Sequence, residues 1–264
     1  MKEQGEDDFI QNSLHDLTST VKHLRDKVEN EHLIITKADK GNTVVFMDRS
    51  DYRAKMKECF TTMGASIDPD FNFSLYNDTI RNAINTISTH LFDKEPIRKA
   101  ILVSNPQTPC LYDLPKIHKN GSPMCRVVSY VSSSPPYKLA KYLDTWFKEV
   151  TNIQPLYPVK NSIEFCAARN QPPPAGCILI SFDVVGFFPH IPLQPTCARM
   201  EDILREATVP PLLISDSLSL LESCLEPNIC QYKQSVYKFL PDIGIPIGSP
   251  LGSVMSEVFM DMLE

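Results

Sequence analysis

The sequence predicts an α+β fold with a helical N-terminal extension. Three observations point there. Apolar residues recur at helical spacing over several separate stretches. Short apolar runs flank turn signals at two places, in the pattern of hairpins. Hydrophobic residues make up 42% of the 264-residue chain, enough for a packed core.

The elements follow in order. Residues 1–31 read as a polar helix, with Leu14, Leu17, Val21, Leu24 and Val28 at helical spacing. Residues 32–48, HLIITKADKGNTVVFMD, hold two apolar runs around a Lys-Gly-Asn turn, which predicts a hairpin. Residues 50–60 and 74–104 are helical in pattern, separated by GASIDPDFN, with Asp70 or Ser74 expected to cap the second stretch. LYDLPKIH and MCRVVSYV flank a turn whose Asn120-Gly121 is a strong hairpin signal. A helix is expected from about Tyr137 to Val150, and two more over 195–207 and 211–226. QYKQSVYKF (231–239) reads as extended. In GIPIGSP (244–250), Ser249 is expected as an N-cap and Pro250 in the first turn of a helix running to the last residue.

No stretch approaches the roughly 18 consecutive apolar residues of a membrane span, so no membrane partner is expected. The acidic, polar N-terminus does not read as a secretory signal. Eight cysteines at 59, 110, 125, 166, 177, 197, 224 and 230 form no C-x-x-C pair, which argues against a zinc site and for reduced thiols in an intracellular protein. Nuclear and cytoplasmic locations both stay open. The net charge of −6 argues weakly against a nucleic-acid partner. Its distribution is uneven. Residues 1–31 hold four basic and eight acidic side chains, whereas 114–148 hold Lys116, Lys119, Arg126, Lys138, Lys141 and Lys148 against Asp144 alone. A local stripe of this kind suits phosphate better than the overall sum suggests. It suits a solvated face with no partner equally well.

The stretch from Cys177 to Leu193, CILISFDVVGFFPHIPL, concentrates the chemistry. Its first six residues are short, apolar and preceded by QPPPAG, which predicts a buried strand ending on Asp183. A buried carboxylate is costly unless a cation meets it, and a divalent metal ion would be one such partner. A strand-end Asp is also a common turn former, Gly-Ser-Pro is common in loops, and a basic hairpin often serves only to protect an exposed edge.

Taken together the segments are more specific. ITKADKGNTVVFMDRSDY (35–52), LPKIHKNGSPMCRVVSYVSSSPPYKLAKYLD (114–144), ISFDVVGFFPHIPL (180–193) and GIPIGSPLGSVMSEVFMDMLE (244–264) resemble the reverse transcriptases of Penelope-like retroelements, from about Leu33 onward. LPKIHK followed by an Arg-Val-Val-Ser strand is the most specific wording.

The resemblance implies a retrotransposon RNA-directed DNA polymerase, a nucleotidyltransferase with the right-hand architecture. Residues 1–31 would be a helical extension, 32–145 an N-terminal extension and fingers, and 146–264 a partial palm with interleaved fingers helices. Asp183 matches the catalytic carboxylate that binds Mg²⁺, and the Val184 backbone carbonyl would be a second oxygen ligand. Phe188 matches the ring that excludes a 2′-hydroxyl and so favours deoxynucleotides, and Phe187 would point into the core. Arg126 matches the arginine that grips the triphosphate. Lys116 or Lys119 would add a cation to the triphosphate or the template backbone; Lys37 and Lys40 are weaker candidates, with Asp39 between them. Gly248, Ser249 and Pro250 match the turn beside the incoming nucleotide. The implied partners are an RNA or DNA template with its primer and deoxynucleoside triphosphates.

Two departures stand beside this. Relatives commonly carry a Gln shortly before the Gly-Ser-Pro turn, where positions 239–243 read Phe-Leu-Pro-Asp-Ile. The paired-aspartate hairpin and the thumb would fall after Glu264, so this chain is expected to be truncated, with an incomplete metal site and negligible polymerase activity. Two other readings stay open: a non-catalytic nucleic-acid-binding fragment, with Tyr112, His118 and Tyr130 stacking on bases, and a decayed relic without function.

Overall fold

The computed structural model describes the backbone of residues 2–87, 91–92, 95–121, 124–129, 132–153, 159, 161–168, 176–178, 180–184, 186–226, 228–240 and 244–263. Side chains are described for the same residues except 2–15, 95, 124–129 and 168. The fold is α+β, and the chain divides into two compact units: residues 1–64 with 113–126, and residues 65–112 with 127–264. The chain passes between them within two strands, β4 (Cys110–Pro115) and β5 (Met124–Ser129).

The first unit opens with α1 (Lys2–Asn30), followed by the hairpin β1 (Leu33–Lys37) and β2 (Val44–Asp48) and then α2 (Arg49–Thr62). The hairpin is the one expected around Lys-Gly-Asn. Its strands pair antiparallel with Ile35 opposite Phe46, and Ala38 N–H donates to Thr43 O at 2.8 Å to close the loop. Gly41 and Asn42 both take positive φ, +82° and +51°, the conformation those two residue types tolerate best. Ala38, Met56 and Phe60 form the buried contacts of this unit.

The second unit holds β3 (Ser66–Ile67), α3 (Phe73–Thr86), α4 (Glu95–Ile101), α5 (Tyr137–Thr151), α6 (Ser162–Ala168), α7 (Leu193–Glu206), α8 (Pro211–Leu225), the hairpin β6 (Ile229–Tyr232) and β7 (Ser235–Lys238), and α9 (Gly252–Asp261). Its sheet runs β3-β7-β6-β4-β5 and is mixed: β3 with β7 and β6 with β7 pair antiparallel, β4 with β6 parallel. Helices α3, α5, α7, α8 and α9 bury one apolar core that includes Ile80, Leu139, Leu204, Leu220, Val254 and Val258. Two ion-pair networks tie α9 to its neighbours. Arg199 of α7 reaches Asp261 at 3.0 Å and Glu206 at 2.8 Å, and these bonds hold its guanidinium pKa above the usual range. Lys148 of α5 donates to Ser253 Oγ at 2.9 Å and pairs with Asp144 at 3.0 Å.

Several expectations need correction. The helical pattern over 74–104 is broken: α3 ends at Thr86 and α4 begins at Glu95. Its cap is neither Asp70 nor Ser74 but Asn72, whose Oδ1 accepts from Leu75 N–H at 3.1 Å. Asn72 is extended while Phe73 already begins the helix, which makes it the residue whose side chain reaches the free N–H groups. Ser249 is not an N-cap either. Gly248 at φ +100° turns the chain, Ser249 N–H bonds Pro246 O and Gly252 N–H bonds Ser249 O, so α9 starts two residues later than expected and ends at Asp261.

The largest correction concerns the apolar run before Asp183. Residues 177–178 and 180–184 form no strand. Ile178 is 79% exposed, Ile180 65% and Phe182 89%. A strand exists only with a partner for its backbone donors and acceptors, and none of the described strands pairs with this run. Asp183 is exposed as well, so no burial cost requires a cation beside it.

Candidate functional site

The structure brings the expected site residues together as two separate surfaces, one in each unit.

In the second unit, a single 3₁₀ turn (Phe188–His190) follows Gly186. His190 Nδ1 lies 2.7 Å from Gly186 O, closing the turn on itself. The turn packs on the segment before α9. Ile245 N–H donates to Phe188 O and Gly244 N–H to Ile191 O, each at 2.9 Å. The fit is close on both sides. A Cβ added at Gly244 would stand 2.7 Å from Pro189 O, and Gly244 sits at φ +88°, so a glycine is required there twice over. A Cβ added at Gly252 would stand 3.1 Å from Phe188 Cε1. Phe187 stacks obliquely on Phe188 and on Phe259 of α9, with ring centroids 5.8 and 6.0 Å apart. Both phenylalanines are half-buried. Phe187 and Phe188 therefore share one aromatic cluster; the opposite orientations expected of neighbours on a strand belong to extended backbone, and this backbone is helical.

The turn at Gly248–Pro250 lies between these contacts: Gly248 is exposed, Ser249 and Pro250 half-buried. Phe188 and the Gly-Ser-Pro turn, about 60 residues apart in the chain, thus belong to one packed region. Asp183 and Val184 precede it on exposed, irregular backbone. Among the described residues no three His, Cys, Asp or Glu side chains converge to hold a metal ion. One solvent-facing carboxylate does not fit a pair of Mg²⁺ ions, each of which keeps several waters and is held by one or two carboxylates together with substrate phosphates.

The first unit supplies a basic surface. Its residues 33–64 and 113–126 hold nine Lys and Arg against five Asp and Glu. Two segments far apart in sequence meet here. Asp39 N–H donates to Pro115 O at 3.1 Å, and Thr36 Oγ1 donates to Asp113 O at 3.4 Å. Asp113 N–H in turn donates to Tyr52 Oη at 3.1 Å, and Lys55 Nζ donates to Gly121 O at 3.3 Å. The KADKG loop is thereby held against the LPKIHKNG turn. Lys37, Lys40 and Lys119 are exposed and Lys116 half-exposed, and among the described residues none of the four is in an ion pair. Lys116 and Lys119 stand in the turn itself, closed by Lys119 N–H to Lys116 O at 2.9 Å, rather than on a strand arm. The backbone of Arg126 lies in β5, and its side chain falls outside the described residues, as do Tyr130 and positions 241–243.

The basic stripe read along 114–148 divides. Lys148 is engaged by Asp144, Ser253 and Glu257, and Lys138 donates to Leu102 O at 3.3 Å. Those charges serve the fold. The reading from sequence had ranked Lys37 and Lys40 low because Asp39 stands between them. The structure joins them to Lys116 through the Asp39 backbone, a contact that no local pattern announces.

The chain matches no established family profile and no curated protein of known function.

Proposed function

We propose that this chain carries the nucleotide-binding and template-binding surfaces of an RNA-directed DNA polymerase of the Penelope-like type, a retrotransposon reverse transcriptase. One observation carries the reading: Phe188 packs on the segment that leads through Gly248–Pro250 into α9. The resemblance assigns Phe188 to the sugar of the incoming nucleotide and Gly248–Pro250 to the turn beside that nucleotide. A half-buried ring held by Gly252 and Phe187 is restrained well enough to discriminate a 2′-hydroxyl by exclusion. Arg126 would grip the triphosphate, its planar fork matching phosphate oxygens.

Catalysis is not part of the proposal for residues 1–264. A bound pair of Mg²⁺ ions would supply charge neutralisation at the transferred phosphoryl group. Among the described residues no carboxylate cluster fits such a pair, so Asp183, with the Val184 backbone carbonyl, is assigned as a ligand of an incomplete site. The test is equilibrium binding of deoxy- and ribonucleoside triphosphates in the presence of an RNA–DNA primer–template. Deoxynucleotides bind more tightly, and Phe188→Ala removes the preference. Equal binding of the two classes by the unaltered protein sinks the reading.

The four lysines favour a second reading, a non-catalytic nucleic-acid-binding protein. Lys37, Lys40, Lys116 and Lys119 offer unpaired charge on one unit of a chain that is acidic overall. This reading expects strand binding with no nucleotide preference at all.

A further inference from the structure

We propose that α1 pairs two copies of this chain through a short coiled coil. Leu17, Val21, Leu24 and Val28 recur at steps of four, three and four residues, and the sequence carries the same repeat back through positions 14 and 10. That is an apolar a/d pattern sustained over three heptads. An ordinary surface helix turns its apolar stripe onto its own core. Here the stripe faces solvent: Leu17 is 61% exposed, Val21 62% and Leu24 41%, and only Val28, near the junction with β1, is half-buried. A strict seven-residue period stays on one line only when helices supercoil around each other.

The charges suit a partner of the same sequence. Within the stripe from 10 to 28 no acidic residue takes an a, d, e or g position: Asp16 and Asp26 stand at c and f, and Glu29 follows at b. Glu3, Glu6 and Asp7 take d, g and a of the same register and end the apolar seam at position 10. The flanking e and g positions are Thr18, Thr20, Arg25 and Lys27. In a parallel, in-register pair Arg25 faces Thr20 of the second copy, so no two carboxylates meet across the seam. Val21 and Val28 at a with Leu17 and Leu24 at d favour two strands over three, and they outnumber the single reversed pair, Leu14 at a with Ile10 at d. The exposed hairpin face of the same unit, with Ile35, Val44 and Phe46, is too short to serve instead. A stripe from 10 to 28 runs about 27 Å along a helix, whereas a five-residue strand spans roughly 17 Å.

Sedimentation equilibrium on the full chain tests this across micromolar concentrations. A reversible monomer–dimer equilibrium is expected, abolished by Leu17→Glu with Leu24→Glu and kept by the off-stripe control Lys22→Glu. Circular dichroism should show both variants folded, because every altered side chain is exposed. A protein that stays monomeric throughout overturns the proposal. So does a dimer that survives the double Glu substitution, which would move the interface elsewhere, for example to the exposed run before Asp183. The outcome is independent of any nucleotide or nucleic acid, so it fails or succeeds separately from the proposed function.

Discussion

Phe188 and Gly252 form a matched pair: a methyl group at 252 would stand 3.1 Å from Phe188 Cε1. Gly252 is the first residue of α9, where alanine is intrinsically favoured over glycine by up to about 1 kcal/mol. With Phe188 in place the steric cost outweighs that gain, and Gly252→Ala is expected to destabilise. With Phe188→Ala the sign reverses. A double-mutant cycle read from urea midpoints should give a coupling of about 1 kcal/mol or more; additive effects would show that the two do not touch.

Gly244→Ala should be more damaging and should resist rescue. The new Cβ meets a backbone oxygen, Pro189 O, at 2.7 Å, and the residue is held at φ +88°. The contact is with backbone, which cannot rotate away. A loss of about 2–3 kcal/mol is expected, seen as a lower denaturant midpoint with an unchanged slope.

Asp183→Ala should leave stability within about 0.5 kcal/mol, since the side chain is exposed on irregular backbone. The purified 264-residue polypeptide should show negligible magnesium-dependent primer extension, because no set of ligands converges with Asp183 among the described residues. Extension that Asp183→Ala abolishes would contradict this directly.

Strand binding should depend on salt through the lysine cluster. Replacing Lys37, Lys40, Lys116 and Lys119 together by alanine is expected to flatten the plot of log affinity against log salt by about 3, the value for four contacts to single-stranded phosphates. An unchanged slope would place the phosphates elsewhere. Lys148→Ala should act differently, loosening α9 through loss of Ser253 and Glu257 with little effect on the slope.

Alkaline pH should weaken the fold. Burial, reinforced by Glu222, raises the Cys197 thiol from 9.0 to about 11. Burial also raises Cys224, and raises Tyr76 with a smaller contribution from Cys224. Between pH 9 and 11 the unfolded chain has lost the Cys197 proton while the folded chain keeps it. Stability therefore falls as pH rises, by about 1.4 kcal/mol per pH unit for each such group. Cys197→Ala should remove one proton's share of that slope. In thiol labelling the exposed Cys110, Cys166 and Cys177 should react first, with the buried Cys224 and Cys230 protected until unfolding.

Signals that act within a few residues were legible. Gly41 and Asn42 marked a hairpin because they tolerate positive φ, and the helices expected over about 137–150, 195–207 and 211–226 form over 137–151, 193–206 and 211–225 and bury their apolar faces. Even here a local competition was misjudged at Asn72, where three capping residues stand close together and the backbone chooses one.

What sequence alone determined was the first hairpin, most of the helices, the α+β class and the position of the residues worth testing. Tertiary structure decided which of them meet. It set Phe188 against Gly252, held Lys40 beside Lys116 through the Asp39 backbone, and spent Lys148 on Ser253 and Glu257. It also left the run before Asp183 in solvent, although its composition is that of a buried strand. A helix satisfies its backbone within its own segment, so its sequence suffices to announce it. A strand takes its hydrogen bonds from another segment, and no property of residues 177–184 can supply that partner.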